Sequence, residues 1–151
     1  MTASRFNYDV AASSMHDQHA VASLTAPVRA MLDDLGGVAH DGSHSGPLVF
    51  LVATGGTERL LLDSIAERRV AHRAEPTVLI AHRAHNSLPA ALETLAAILQ
   101  SGGRGRIVLL TDRVEADRAM LDEAIGDLEA IAGLRSTRLG VVGGPSSWLV
   151  A

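Results

Sequence analysis

Four short polar stretches, each following an apolar run, carry the side chains that could do chemistry in this chain: Thr54-Gly55-Gly56-Thr57-Glu58, His82-Arg83-Ala84-His85-Asn86-Ser87, Thr111-Asp112-Arg113 and Gly143-Gly144-Pro145-Ser146-Ser147. The paired glycines lack Cβ atoms, so backbone there can come close to a ligand. Amides at the start of the following helix favour an oxyanion or a hydroxyl oxygen. Gly55, Gly56, Thr57 and Glu58 are therefore candidate binding residues. A tight strand-to-helix turn, with Thr57 as cap and Glu58 complementing the helix dipole, accounts for the same four residues on structural grounds. His82, His85 and Asn86 form a denser polar cluster than a loop needs, and their imidazole and carboxamide groups suit hydroxyl recognition, proton transfer or a metal, with solvated or capping histidines as the structural account. His82 or His85 could act as a general base, with Glu58 or Asp112 as the acid across a pocket.

Other chemistries are excluded or weakly supported. The spacing of His82 and His85, repeated at His16 and His19, brings no carboxylates with it, so no metal site is assigned. Ser146 and Ser147 follow Gly143-Gly144-Pro145, outside any Gly-x-Ser-x-Gly elbow and without a base beside them. A hydrolase triad is therefore poorly supported there. All 13 basic residues are arginines, and there is no cysteine. A Schiff-base lysine, a P-loop lysine, a thiol nucleophile and a thiolate metal site are all ruled out. Trp148 reads as a buried anchor or as a platform for a sugar face.

The elements that must position these loops follow from apolar periodicity. Residues 47–53, 77–81, 106–110 and 138–142 are short continuous runs rich in branched side chains, the pattern of strands covered on both faces; a further strand is expected at 5–10. Helical spacing covers 17–35, 57–69, 88–100 and 114–131. The expected inward faces are Leu60, Leu61, Ser64 and Ile65 in the second of these, and Leu88, Leu92, Leu95, Ala96 and Leu99 in the third. Asp17 and Ser87 are expected N-caps, Pro89 fits a first turn, and Gly36-Gly37 and Gly102-Gly103 are stops. Residues 38–46 read as a polar loop. Strands alternating with helices give an α/β three-layer sandwich around an open, mostly parallel, doubly wound sheet of four to five strands. Ligands of such sheets bind outside the carboxyl ends of the strands, where all four polar loops would meet.

At 151 residues and 47% hydrophobic composition the chain can bury a core as one domain, 1–151, in which 1–46 is an N-terminal helical segment joined to a core at 47–151. The longest apolar run, 48–53, is far below a membrane span, and the N-terminus carries no secretion signal. With a net charge of −4 and no basic block beyond Arg68-Arg69, nucleic acid is not an expected partner. A cytoplasmic location is expected.

Three of these segments, in order, resemble a known family. They are 53–58 (Ala-Thr-Gly-Gly-Thr-Glu), 86–93 (Asn-Ser-Leu-Pro-Ala-Ala-Leu-Glu) and 139–151 (Leu-Gly-Val-Val-Gly-Gly-Pro-Ser-Ser-Trp-Leu-Val-Ala). The set is similar to the N-terminal region of L-fucose isomerase-like proteins, the group that includes L-fucose and L-arabinose isomerases, over about 47–151. The resemblance implies an α/β domain that packs into oligomers and helps complete a sugar pocket. It places Gly55, Gly56, Thr57, Glu58, Asn86, Ser87 and Ser146 along that pocket. It also implies Mn²⁺ for full-length relatives, held by Glu, Asp and His of later domains that have no counterpart here. No cofactor and no catalytic residue is therefore assigned to this chain, which on this reading should not isomerise a sugar alone. The partners implied are a sugar or polyol and either further copies of the chain or a C-terminal catalytic partner. A regulatory or assembly module binding an anionic metabolite at the strand ends is the alternative.

Overall fold

The computed structural model describes residues 5–41, 46–73, 75–138, 140 and 143. The strands are β1 (Phe6–Ala11), β2 (Gly37–Ala39), β3 (Leu48–Val52), β4 (Thr77–Ala81) and β5 (Gly105–Leu109). The helices are α1 (Gln18–Asp34), α2 (Glu58–Ala71), α3 (Ser87–Gln100) and α4 (Val114–Ser136). All strand pairs are parallel, in the order β2-β1-β3-β4-β5. Every residue of β3 and β4 is buried. Strands dry on both faces need a helical layer on each side, and the chain supplies two helices per layer. Val49, Leu51, Val78 and Ile80 pack under α1 and α4. Leu48, Phe50, Val52, Leu79 and Ala81 pack under α2 and α3. The α/β sandwich expected from the sequence is the observed architecture.

The structure adds β2 inside the expected 38–46 loop. Gly36, at φ +89°, turns the chain straight out of α1, and Gly37 pairs with Phe6. A Cβ on Gly37 would meet the Phe6 ring at 2.5 Å, so only glycine admits this approach. Two of the three β2 residues are exposed, which is why no apolar run announces the strand. β2 makes β1 an interior strand, and Phe6, Asn7 and Tyr8 are accordingly buried. The expected strand 138–142 lies mostly outside the described residues.

Helix α3 corrects another expectation. Its inward face is Ser87, Ala90, Ala91, Thr94 and Ile98, while Leu92 and Leu99 stay 53% exposed. The leucine stripe is offset from the true face, sharing only the partly buried Leu88 and Leu95 with it. Small residues win because they let the helix backbone settle close over the sheet. In α2, Leu61 and Ile65 are buried as expected, but Leu60 is half exposed. Helix α3 ends with the amides of Gly102 and Gly103 on the carbonyls of Leu99 and Ile98, and Gly102 sits at φ +76°. This left-handed stop matches the expected role of the glycine pair.

Side chains clamp the amino-terminal edge of the sheet. The Arg68 guanidinium, itself largely buried, bonds both carboxylate oxygens of Glu75 (2.7 and 3.0 Å) and the carbonyl of Gly46. Arg5 bridges Asp122 (3.0 Å) and Glu129 (2.8 Å) of α4, and these two carboxylates hold its guanidinium more firmly protonated than usual. The Tyr8 hydroxyl donates to Asp33 of α1 at 2.7 Å. Burial foremost, and then the Asp33 carboxylate, raise the Tyr8 pKa above the ordinary tyrosine value of 10.0, with Arg29 opposing. The folded state therefore keeps a proton that the unfolded chain loses above pH 10, so this group's share of stability is intact below pH 10 and declines as pH rises further. Tyr8 is the chain's single tyrosine, so phenolate absorbance reports it alone. The absorbance midpoint of the native protein is expected above 10, and Tyr8→Phe should flatten the loss of stability on the alkaline side; a native midpoint at or below 10 would contradict the assignment.

Candidate functional site

In the order 2-1-3-4-5 the chain leaves β1 for one face of the sheet and β3 for the other. The loops after these two strands diverge, and the crevice they leave is where doubly wound sheets bind ligands. Here those loops are 12–17 and 53–57, and the loop 82–86 after β4 stands beside them.

The crevice walls are tied together. The amide of Ser13 donates to Thr54 Oγ1 at 2.8 Å, which links the first loop to the second. Gly56, at φ +72°, faces Ser13: a Cβ there would lie 3.7 Å from the Ser13 hydroxyl. The amide of Gly55 donates to the carbonyl of His85 at 2.7 Å, linking the second loop to the third. A Cβ on Gly55 would come within 2.8 Å of Asn86 Cβ, so glycine is the residue that lets these loops touch.

Two candidate residues act as bolts. Ser87 is fully buried, and its hydroxyl donates to the carbonyl of Val52 at 2.5 Å while accepting from the amide of His82 at 3.0 Å. It thereby joins β3, β4 and α3 instead of capping the helix, whose N-cap is Asn86 with no side-chain capping bond. Thr57 is buried and donates to the carbonyl of Thr54 at 2.8 Å, again without a capping bond. Asp17 does cap α1, accepting from the amide of His19 at 3.2 Å.

Both ring nitrogens of His82 are engaged by the backbone. Its Nε2 lies 2.9 Å from the carbonyl of Ala53, and its Nδ1 lies 3.2 Å from the amide of Ala84. A carbonyl can only accept and an amide can only donate, so in these bonds Nε2 donates and Nδ1 accepts. With both nitrogens engaged, His82 holds the loop and is not a free base. His85 is exposed, with its ring 5.9 Å from that of His16 and 6.4 Å from that of His82, both edge-on.

Three non-glycine residues among those described have positive φ: His85 (52°), Asn86 (57°) and Asp112 (64°), all at the carboxyl rim. The turn at 85–86 is held by Gly55 and Ser87. The turn at Asp112 is held by Asp117, which is buried and accepts from the Thr111 amide (2.9 and 3.0 Å) and hydroxyl (2.7 Å). Asp112 itself is exposed, and the N-cap of α4 is Arg113.

Of the residues singled out in the sequence, Gly55, Gly56, Glu58, His82, Asn86 and Ser87 come together at this rim along with Thr57. Ser146 and Trp148 lie outside the described residues. Ser13 and His16 form the far wall; the signal for them was the gap between an expected strand at 5–10 and the cap at Asp17. His16 Nδ1 is buried without a hydrogen bond among the described residues. Among those residues no group of three or more His, Asp or Glu is arranged to hold a metal ion, and no helix is long and apolar enough to cross a membrane. Comparison with protein-family models, with characterised proteins and with solved structures finds no match to this chain.

Two substitutions probe the bolts by urea denaturation. Gly55→Ala should lower stability by about 1–3 kcal/mol, because the new methyl is forced against Asn86. Ser87→Ala should cost about 1–3 kcal/mol by leaving the Val52 carbonyl and His82 amide short of a partner. An unchanged midpoint for both would mean that the rim is not held this way.

Proposed function

We propose that this chain is an N-terminal-type α/β domain of an L-fucose/L-arabinose isomerase-like protein, acting in the cytoplasm, which contributes to binding a sugar or polyol and to oligomer assembly. In this reading it supplies no catalytic metal ligand, and Mn²⁺ belongs to the full-length relatives. The ordered resemblance of three segments supports the family, and two of those segments, the loop 53–58 and the start of α3, meet at one crevice. The carrying observation is the character of that crevice. Its side-chain groups are the Ser13 hydroxyl, the Asn86 carboxamide and the His85 imidazole, which both donate to and accept from hydroxyls.

Charge at two of the crevice's helix starts supports this reading over the anion-binding alternative. Two of the helix N-termini at the crevice already carry carboxylates: Asp17 at α1, and Glu58 at α2, where Oε1 accepts from the Gly56 amide at 3.3 Å; α3, which starts after Asn86, has no acidic residue in its first turn. An incoming anion would meet these negative charges, whereas a neutral polyol would not. The proton-transfer reading narrows to His85, since His82 is committed to the backbone. It names no substrate, and ranks below binding.

Thermal denaturation with and without ligand tests the reading, because a ligand that binds only the native state raises the melting temperature. L-fucose or L-arabinose should raise it, and phosphate should not. Stabilisation by phosphate and by neither sugar would move the assignment to the anion-binding module. The chain alone, supplied with Mn²⁺, should convert neither sugar to its ketose; measurable conversion would overturn the proposal.

A further inference from the structure

A hollow lies at the amino-terminal edge of the sheet, opposite the crevice. Helix α4 is long enough for its last turns to overhang that edge. Beneath them is a cavity of about 560 Å³, lined by Pro76, Leu128, Ile131, Arg73 and Arg135 among others. A second hollow of about 270 Å³ extends toward the strand edge at Arg104. Pro76, Leu128, Ile131 and Arg135 line both, so the two form one trough with an apolar floor. Its volume falls in the range of small-molecule sites, about 300–1,000 Å³.

The charges around the trough do not cancel. Of the lining carboxylates, Glu75 is bonded at both oxygens by Arg68, and Asp127 is paired with Arg106 at 2.8 Å. Arg73 and Arg104 are exposed and form no ion pair among the described residues. A positive mouth over an apolar floor is a local exception in a chain of net charge −4. A small inorganic anion would leave the floor uncovered, and a neutral apolar molecule would leave the arginines unused.

We propose that this trough is a second binding site, taking a single-chain amphipathic carboxylate. The alkyl chain lies along Pro76, Leu128 and Ile131, and the carboxylate is met by the Arg73 guanidinium, a fork suited to two-pronged bonding. The site is independent of the crevice and of its proposed ligand.

Titration of the isotope-labelled protein with decanoate, below its micelle concentration, tests this by amide shifts. Saturable shifts are expected around Arg73, Leu128 and Ile131, and not around Gly55 or Asn86. Arg73→Glu, at an exposed position, should weaken decanoate binding by about tenfold or more, the scale of one charge-assisted bond. Ile131→Gln should weaken it as well, its melting curve verifying the fold. Decanol and inorganic phosphate should each bind much more weakly than decanoate. Equal binding of decanol, equal binding of phosphate, full affinity in Arg73→Glu, or no decanoate binding would each overturn the proposal. So would binding only after removal of residues 139–151, which would make the chain's own end the occupant.

Discussion

The molecule depends first on keeping two strands out of water. Every side chain of β3 and β4 is buried, so each face of the sheet must carry a helical layer. A chain that covers both faces has to leave its strands in opposite directions at some point, and here that point lies between β1 and β3. The crevice is thus a consequence of hydrophobic burial before it is a feature of any function. Burying apolar surface contributes roughly 25 cal/mol per Å², which makes the two-sided covering the dominant favourable term.

What turns a crevice into an ordered site is a small set of polar bolts. Ser87 joins the ends of two strands to a helix, His82 uses both nitrogens on backbone, and Gly55 brings the second and third loops into contact. These bonds hold His85 and Asn86 in a left-handed conformation that non-glycine residues adopt at a cost. The strain leaves the His85 ring exposed beside His16. The groups most engaged in holding the rim are therefore not those free to meet a ligand. Ser87, Thr57 and His82 are spent on holding the rim, whereas His85 and Asn86 stand exposed at it.

Much of this was legible in the residues. The continuous apolar runs of β3 and β4 announce a parallel sheet, and the polar loops that follow them mark the rim. Three features were not legible, each for a physical reason. β2 carries no apolar run, because two of its three residues face solvent, and it exists through a glycine turn and backbone pairing with β1. The true face of α3 is built of alanines, a buried serine and a buried threonine, which hydrophobic periodicity weighs less than the leucines beside them. The roles of Ser87 and His82 depend on partners 35 and 29 residues away, Val52 and Ala53, which local spacing cannot reveal.

The central claim is that the crevice between the loops after β1 and β3 receives a neutral polyol. The most direct measurement is the set of backbone amide shifts of the labelled protein as L-fucose is added. The account predicts saturable shifts confined to the amides of Ser13, Gly55, Gly56, His85 and Asn86. Saturable shifts elsewhere with these amides unmoved, or shifts at these amides on adding phosphate and none on adding sugar, would contradict it.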